Sequence, residues 1–325
     1  MTEEHILPDG LGGRHTIPRA SCRTCQKIIN EEVEQYCQRE LFGNARFHFG
    51  LRSSKRSRRK RPRPRLKIVV GRESGEFESI YPDEDELPVI LVIPAFPPPT
   101  ILRDEPAPET FQGANWIYQP EPMRSVLKRF STDRILSPVI RPALFARLIA
   151  KIGHAHGTAH LGDAFDPVLP PLILGKHRSW LEYVGGNLVL PPVDESLVHQ
   201  LSLLNATRET DGKQFAVAGI RLFAGLGAPL HYAVLGPMTR SWPVELVSHL
   251  TEDETRTANT MLGLRMGEPP KGRRVSRRPA PIAPSQSCRR PAPLDEPTPA
   301  SAPTRTPPSA PQTRRQTPPA ATTPP

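Results

Sequence analysis

The chain has 325 residues, enough for one or two domains that each bury a hydrophobic core. Its formal charge of +10 is concentrated in two segments: residues 45–67 contain eleven Lys or Arg and no acid, and residues 267–325 carry +7, which leaves −8 for the rest. No apolar run reaches bilayer length, four cysteines are too few for a disulfide framework, and the residues after Met1 do not form a secretory signal. We therefore expect a soluble, cytoplasmic protein with no membrane partner.

The most informative stretch of the sequence runs from Glu4 to Cys25. His5 precedes a short apolar run, which predicts a strand, and the glycines of residues 9–13 predict a turn because glycine adopts positive φ without strain. Cys22 and Cys25 have the spacing of one half of a zinc knuckle. The next apolar residues recur at helical intervals, at Ile29, Val33, Tyr36 and Leu41. The predicted order is strand, glycine loop, cysteine pair and helix.

This order resembles the HNH endonucleases, specifically the subfamily in which a zinc-binding cysteine framework surrounds a ββα-metal core. The resemblance is carried by residues 4–8 (EHILP), residues 11–13 (LGG) and Cys22-x-x-Cys25, with a glutamate-bearing helix behind them. It implies that His5 is the general base that takes a proton from water, and that Glu4 helps to hold Mg²⁺ or another divalent ion. It also implies that Cys22 and Cys25 bind a structural Zn²⁺.

The sequence departs from the family pattern in two places. The family usually has a second Cys-x-x-Cys before its first strand, whereas His5 lies only four residues after Met1. The family also usually has asparagine directly after the second cysteine, where this chain has Gln26. These departures predict that residues 1–50 form an HNH-like module that is shortened at its N-terminus or degenerate.

Cys37 lies on the apolar side of the predicted helix, where a cysteine behaves as a small hydrophobic residue. The alternative is that Cys37, together with His15, replaces the missing cysteine pair, since a structural zinc site needs four ligands to close. In either case a module of this size requires a metal or a neighbouring segment for its stability.

Residues 51–67 form a basic linker in which ten of the sixteen residues from Arg52 to Lys67 are Lys or Arg. Pro62 and Pro64 exclude a continuous helix. Such a segment neutralises phosphates with little sequence selectivity, so we expect it to contact DNA, the alternative being a solvated linker. We expect the contacts from seven side chains: Arg52, Lys55, Arg56, Arg58, Arg59, Lys60 and Arg61.

A companion α+β domain is predicted over residues 68–245. The apolar period predicts a helix over residues 142–162, on which His156 and His160 lie one turn apart. These histidines could share a metal ion, although hydrogen bonding near a helix end is the default interpretation. Apolar runs bounded by turn residues predict β structure, at 68–70, 89–93, 168–175, 180–184, 214–223 and 230–235.

The order of these segments also resembles a C-terminal region that accompanies the HNH module in some bacterial proteins and has no assigned chemistry. The matching phrases are found at 145–152, 172–175, 184–186 and 220–223. This second resemblance adds to the family assignment and implies no further activity.

The end of the chain is predicted to lack a fold. Residues 246–266 are interpreted as a helical or linker segment. Residues 267–325 contain seventeen prolines and no Phe, Trp or Tyr, so they cannot bury enough apolar surface and are predicted to be a disordered basic tail. The glycines at 225 and 227 have no helix behind them, so no dinucleotide or other small-molecule cofactor is indicated.

The predicted fold is therefore α+β: a small ββα-metal module, a mixed α+β domain and a proline-rich tail. The function that we expect is a metal-dependent HNH-type endonuclease that hydrolyses phosphodiester bonds in DNA. The alternative is a nucleic-acid-binding protein of the same origin whose catalytic centre has decayed, which Gln26 and the missing cysteine pair favour. A third hypothesis is a zinc-stabilised interaction module with no role on nucleic acid, whose basic segments are solubilising linkers.

Overall fold

The computed structural model describes residues 1–51, 66–69, 77–81, 83, 87–108, 113–132, 134–136, 139–188, 198–208 and 210–240. The described residues form a mixed α+β structure, which confirms the predicted fold class in its coarse form. The predictions for the DNA contacts between Arg52 and Arg61, for residues 246–266 and for the tail at 267–325 lie outside the described residues.

The described chain contains runs of consecutive strands and runs of consecutive helices. The strands are β1 (Thr2–His5), β2 (Thr16–Ser21), β3 (Leu66–Val69), β4 (Phe77–Ile80), β5 (Ile90–Ala95), β6 (Gly113–Tyr118), β7 (Val184–Leu188), β8 (His199–Thr207), β9 (Gln214–Leu222) and β10 (Leu230–Pro237). The α-helices are α1 (Arg23–Ile28), α2 (Gly43–His48), α3 (Pro120–Arg129), α4 (Pro142–Leu161), α5 (Pro170–Ile173) and α6 (Trp180–Tyr183).

The chain begins with an antiparallel hairpin of β1 and β2, in which His5 pairs with Thr16. A single 3₁₀ turn between the strands ends at Gly12, which has a left-handed backbone with φ of 86°. Gly13 packs so closely that a Cβ there would lie 1.8 Å from the carbonyl oxygen of Leu7. These two glycines allow the tight turn that the sequence predicts, because a side chain at either position would strain the backbone.

The helix predicted after the cysteine pair is present. It starts with Cys22 as the N-cap of α1 and passes through two π-helical stretches, Ile29–Glu34 and Cys37–Leu41, before α2. Its apolar face is buried, at Ile29, Val33, Cys37 and Leu41. The apolar period in the sequence therefore identified both the helix and its buried side.

A four-stranded antiparallel sheet with the order β7-β10-β9-β8 forms the largest sheet of the described structure. The β structure predicted at 214–223 and 230–235 corresponds to β9 and β10, which pair antiparallel, and a 3₁₀ turn at Ala224–Leu226 lies in the connection between them. The helix predicted over 142–162 is α4, which packs across β9 and β10. The apolar face of α4 packs against this sheet, as expected for a helix that covers one face of a sheet.

The glycines of α4 bring the helix close to the sheet. A Cβ at Gly153 would lie 2.8 Å from Ala233 Cβ and 3.3 Å from Ala218 Cβ, and one at Gly157 would lie 2.3 Å from Leu235 Cδ1. α4 continues unbroken past both glycines. Tertiary packing against the sheet outweighs the low helix propensity of glycine.

Gly153→Ala is expected to lower the free energy of unfolding by about 1–3 kcal/mol, because the added methyl group overpacks the helix–sheet contact. The loss should appear even though alanine favours an isolated helix by about 1 kcal/mol over glycine. Urea denaturation measures it. Gly43→Ala is the matched control, because no atom lies within 4 Å of a Cβ at that helical position. Equal stability losses in the two variants would contradict the packing argument.

Two stretches predicted as β structure are short helices instead. The run 168–175 contains α5, whose prolines occupy the first helical positions, where a missing backbone N–H leaves no hydrogen bond unmade. The run 180–184 forms α6 and reaches β structure only at Val184, where β7 begins.

Three elements of the described structure, β6, β8 and α3, were not predicted from the sequence. β6 pairs with β5, and β8 forms one edge of the large sheet.

A smaller core packs beside the large sheet. Residues from β3, β4, β5 and α3 meet in it, including Leu66, Ile80, Val92 and Val126. The strands belong to two separate two-stranded sheets, β3–β4 and β5–β6. Leu66, in the last two residues of the basic linker, belongs to this smaller core.

The N-terminal hairpin and helix share the main core with the sheet. Leu11, Val33 and Phe42 belong to the same buried cluster as Phe145 of α4 and Phe223 at the end of β9. This neighbour supplies the stability that a module of about 50 residues lacks on its own. Among the described helices, none combines the length and apolar character needed to cross a membrane.

Candidate functional site

His5 and Glu4 lie at the end of β1, next to α4. Ser21 of β2 donates a hydrogen bond from Oγ to Glu4 Oε2 at 3.2 Å. The His5 ring is partly buried, and its Nδ1 has no hydrogen-bond partner among the residues that the structure describes. The hairpin therefore holds the two residues of the expected catalytic pair at the end of one strand. The Nδ1 atom of His5 forms no hydrogen bond with the described residues around it.

The carboxylate of Glu4 is bound by Lys151 of α4. Lys151 Nζ lies 2.8 Å from Glu4 Oε1 and 3.3 Å from Glu34 Oε1, and it donates a hydrogen bond to the carbonyl oxygen of His5. The Lys151 side chain is 3% exposed. An ammonium group buried this deeply requires compensating partners, because an unpaired buried charge is strongly destabilising. Lys151 thus joins β1, the first π-helical stretch and α4 at one point.

A second ion pair lies one turn earlier on α4. Arg147 Nη1 is 3.0 Å from Glu32 Oε2, and Arg147 Nε donates to the carbonyl oxygen of Ile173 at 3.0 Å. Residues four apart share a helix face, so Arg147 and Lys151 present two cations to the glutamates of the N-terminal helix. Glu32 is 53% exposed, so solvent screens this pair more than the buried one.

Cys22 and Cys25 lie together in the first turn of α1, and both are partly exposed. The backbone N–H of Cys25 donates a hydrogen bond to Cys22 Sγ at 3.3 Å. Gln26, which stands where the HNH family has asparagine, donates from Nε2 to the carbonyl oxygen of Glu3 at 2.9 Å. The helix start is therefore tied to β1, and the cysteine pair sits beside the strand that carries His5.

The donor atoms fit the two implied metals only in part. Cys22 and Cys25 supply two of the four ligands that structural zinc needs. Within the described parts of the chain, no group of three or more His, Cys, Asp or Glu residues is arranged to hold a metal ion. A divalent ion at Glu4 would lie against the ammonium group of Lys151. The described residues therefore offer half of a zinc site and do not fit a catalytic ion at Glu4 while Lys151 is bound there.

Cys37 is a core residue, as the first of the two interpretations predicts. It is fully buried, and its Sγ lies 3.9 Å from the carbonyl oxygen of Leu144. Burial, followed by the nearby Glu34 carboxylate, raises the pKa of the thiol. A thiol kept protonated in this way is a poor zinc ligand, because zinc binds the thiolate.

The histidine pair on α4 meets a third imidazole. The rings of His156 and His160 lie edge to face with their centroids 4.6 Å apart. Burial, and then repulsion from His160, lowers the pKa of His156 to about 4; burial, and then His15, lowers that of His160. No metal-holding group is found around them in the described structure. The lowered pKa values favour neutral rings at His156 and His160, and the metal interpretation gains no support.

Three further histidines are fully or partly buried: His231 is buried, and His154 and His199 are partly buried. Burial lowers the pKa of His154, His199 and His231 to about 4 in each case. The ring of His199 lies 2.9 Å from the carbonyl oxygen of Leu11, and its Nδ1 accepts from the Phe223 backbone N–H at 3.1 Å. A neutral imidazole can donate through one nitrogen and accept through the other, which suits this bridge between the hairpin loop and the sheet.

Lys151 is the site residue that sequence analysis missed. In the sequence it lies between Leu148 and Ala155, within the apolar face of the predicted helix. A lysine on a face that packs against a sheet needs an acidic partner, and this was the available signal. The sequence alone does not identify the partner, because Glu4 and Glu34 belong to a distant part of the chain.

Comparison of the chain with protein-family models, with curated proteins and with solved structures gives no match. Its function is therefore argued from the residues of the site.

Proposed function

We propose that the chain is an HNH-type endonuclease that hydrolyses phosphodiester bonds in DNA. One observation carries the proposal: a hairpin with His5 at the end of its first strand leads directly into a helix that begins with a cysteine pair. This is the ββα order that the resemblance to HNH endonucleases implies. We place the protein in the cytoplasm, where the thiols of Cys22 and Cys25 stay reduced.

In this proposal His5 accepts a proton from the water that attacks the phosphate. A general base needs a ring nitrogen that water can reach. His5 is partly exposed, but its Nδ1 is buried and has no hydrogen-bond partner among the described residues, so in this proposal the other ring nitrogen, Nε2, takes the proton. Lys151 fixes the backbone at this position by donating to the His5 carbonyl oxygen. The divalent ion on which HNH chemistry depends is not assigned to Glu4, since the bound ammonium group opposes it.

The DNA contact is supported by the position of the basic linker in the chain. The linker directly follows the first fifty residues, and its stretch from Arg52 to Lys67 contains ten Lys or Arg. Each of these side chains can neutralise a phosphate on the DNA backbone. The linker thus provides affinity without sequence selectivity, and the module beside it would provide the chemistry.

A second candidate function is DNA binding without hydrolysis, by a descendant of such a nuclease. The specific observation in its favour is the ion pair between Glu4 and Lys151, which occupies the carboxylate that the family resemblance assigns to the metal. Gln26 also forms a structural contact with β1. In this alternative the basic linker keeps its role and His5 has none.

Replacing His5 with alanine is expected to lower the rate of plasmid nicking by about 10²–10⁴-fold, because the attacking water loses its general base. The measurement is the conversion of supercoiled to nicked plasmid in the presence of Mg²⁺ or Mn²⁺. His48→Ala is the matched control, since His48 is an exposed imidazole at the end of α2 and makes no contact with the proposed centre.

Equal nicking by the wild type and His5→Ala would remove His5 from the mechanism. No nicking by the wild type, combined with DNA binding that weakens steeply as salt is raised, would establish the second candidate. Binding that does not change between low and moderate salt would contradict phosphate neutralisation and leave the interaction module as the function.

A further inference from the structure

We propose that the Lys151 ammonium group is the permanent counter-ion of the Glu4 carboxylate. Glu4 therefore positions β1 and does not bind a divalent metal ion. The inference rests on the proposed function in one respect, because the resemblance to HNH endonucleases is what makes Glu4 the expected metal ligand. It assigns to α4 of the companion domain a residue that organises the candidate centre.

The geometry around the ammonium group is complete. A lysine ammonium has three N–H donors and accepts no hydrogen bonds. Lys151 Nζ has three oxygen partners: Glu4 Oε1 at 2.8 Å, Glu34 Oε1 at 3.3 Å and the carbonyl oxygen of His5. Each donor therefore has one acceptor. An ammonium group with all its donors satisfied is held in place and does not need a further ligand.

Burial strengthens this arrangement. The Lys151 side chain is 3% exposed, and those of Glu4 and Glu34 are each 14% exposed. Away from water the attraction between opposite charges is less screened, and so is the repulsion between like charges. A divalent ion bound to Glu4 would stand beside the ammonium group at contact distance. It would have to displace Lys151, which has no other acidic partner among the described residues.

The remaining oxygen of Glu4 is also engaged. Glu4 Oε2 accepts the hydrogen bond from Ser21 Oγ, which fixes the carboxylate against β2. The carboxylate thus connects the two strands of the hairpin to α4. Because Lys151 also holds the His5 carbonyl oxygen, the position of the imidazole on β1 depends on this buried cation. Lys151 and Glu4 are in this sense positioning residues.

The test is a titration of the protein with Mn²⁺, followed by electron paramagnetic resonance of the unbound ion. The full-length wild type and Glu4→Gln are compared without DNA, so the outcome does not depend on nuclease activity. We expect the two proteins to bind Mn²⁺ identically, whether strongly, weakly or not at all. A clear loss of Mn²⁺ binding in Glu4→Gln would overturn the proposal.

A second pair of variants tests the cause. Lys151→Ala removes the ammonium group from between two carboxylates and is expected to bind Mn²⁺ at least about tenfold more tightly than the wild type, because the repulsion is gone. The double variant Lys151→Ala/Glu4→Gln should bind Mn²⁺ no more tightly than the wild type. Lys151→Arg keeps the positive charge, so its Mn²⁺ affinity should also stay at the wild-type value. A folded Lys151→Ala without the gain would overturn the assignment of the charge as the excluding group. If Lys151→Ala fails to fold, the Glu4→Gln comparison decides alone.

The two proposals fail separately. If the wild-type protein does not nick plasmid, the proposed endonuclease function is wrong. The Mn²⁺ comparison between the wild type and Glu4→Gln would still test the role of Lys151. Mn²⁺ binding that depends on Glu4 would overturn the role of Lys151 and strengthen the endonuclease proposal.

Discussion

Lys151→Met is expected to lower the free energy of unfolding by about 3–5 kcal/mol, the cost of breaking a buried ion pair by removing one partner. The variant leaves Glu4 and Glu34 facing each other without the cation between them, and both carboxylates are mostly buried. It also leaves the His5 carbonyl oxygen without this donor. A domain is typically stable by about 5–15 kcal/mol, so the loss is a large fraction of the total.

Urea denaturation followed by circular dichroism measures the effect. Lys176→Met is the matched control, because Lys176 is exposed and its replacement should change stability by no more than about 0.5 kcal/mol. Adding Glu4→Gln and Glu34→Gln to Lys151→Met should recover part of the loss, since neutral amides replace the unpaired carboxylates. A Lys151→Met protein as stable as the wild type would show that the ion pair is not formed in solution.

Acid is expected to unfold the protein between pH 6.5 and 4, a range that begins above the pKa of ordinary carboxylates. Burial lowers the pKa of four histidines to about 4, namely His154, His156, His199 and His231. Between that value and the ordinary pKa of 6.5 the unfolded chain binds protons that the folded chain does not, so falling pH favours unfolding. The contribution is fully present above pH 6.5 and is lost as pH falls toward 4.

The expected slope is steep. Each histidine contributes about 1.4 kcal/mol per pH unit in this window, so the four together are enough to unfold a domain within about two units. The measurement is the free energy of unfolding at several pH values from 7.5 to 5. His231→Phe keeps an aromatic ring beside Phe96 and Phe145. It should reduce the slope of unfolding free energy against pH by the contribution of one histidine, about 1.4 kcal/mol per pH unit. Stability that does not change between pH 7 and 5 would contradict the burial of these imidazoles.

The sequence correctly predicts those segments in which the local residue pattern and the packing in the folded protein favour the same secondary structure. The glycine turn near Gly12, the helix after Cys22, α4 and the pair of β9 and β10 all combine turn residues with a clear apolar period. These elements are also the ones that place His5 and the cysteine pair. The part of the candidate site that lies on the hairpin was therefore accessible from one sequence.

Proline misled the interpretation of two other elements. α3 begins at Pro120 and α5 begins with two prolines, yet in the first turn proline costs no hydrogen bond. A proline inside a strand-like apolar run and a proline at the start of a helix look alike until the following turn is known. β8 was missed for a different reason, because it buries polar residues, Gln200 and Ser202, that break the apolar pattern.

Long-range pairing is the information that the sequence does not contain. Lys151 is one lysine among several along the chain, and its identity as the partner of Glu4 depends on how α4 lies against the hairpin. That placement follows from the close packing of Gly153 and Gly157 on the sheet, which no local pattern reveals.

The shared core has a consequence for the history of this protein. Phe42 from the N-terminal helix packs against Phe145 and Phe223, with ring centroids 6.2 Å and 5.2 Å apart. The first fifty residues are therefore not a cassette that recombination could transfer intact to a new host chain. A recipient would have to supply matching aromatic rings, and the donor would be left with an open groove. A change in the size of one of these rings leaves a cavity or a clash unless a ring on the other side of the contact changes with it.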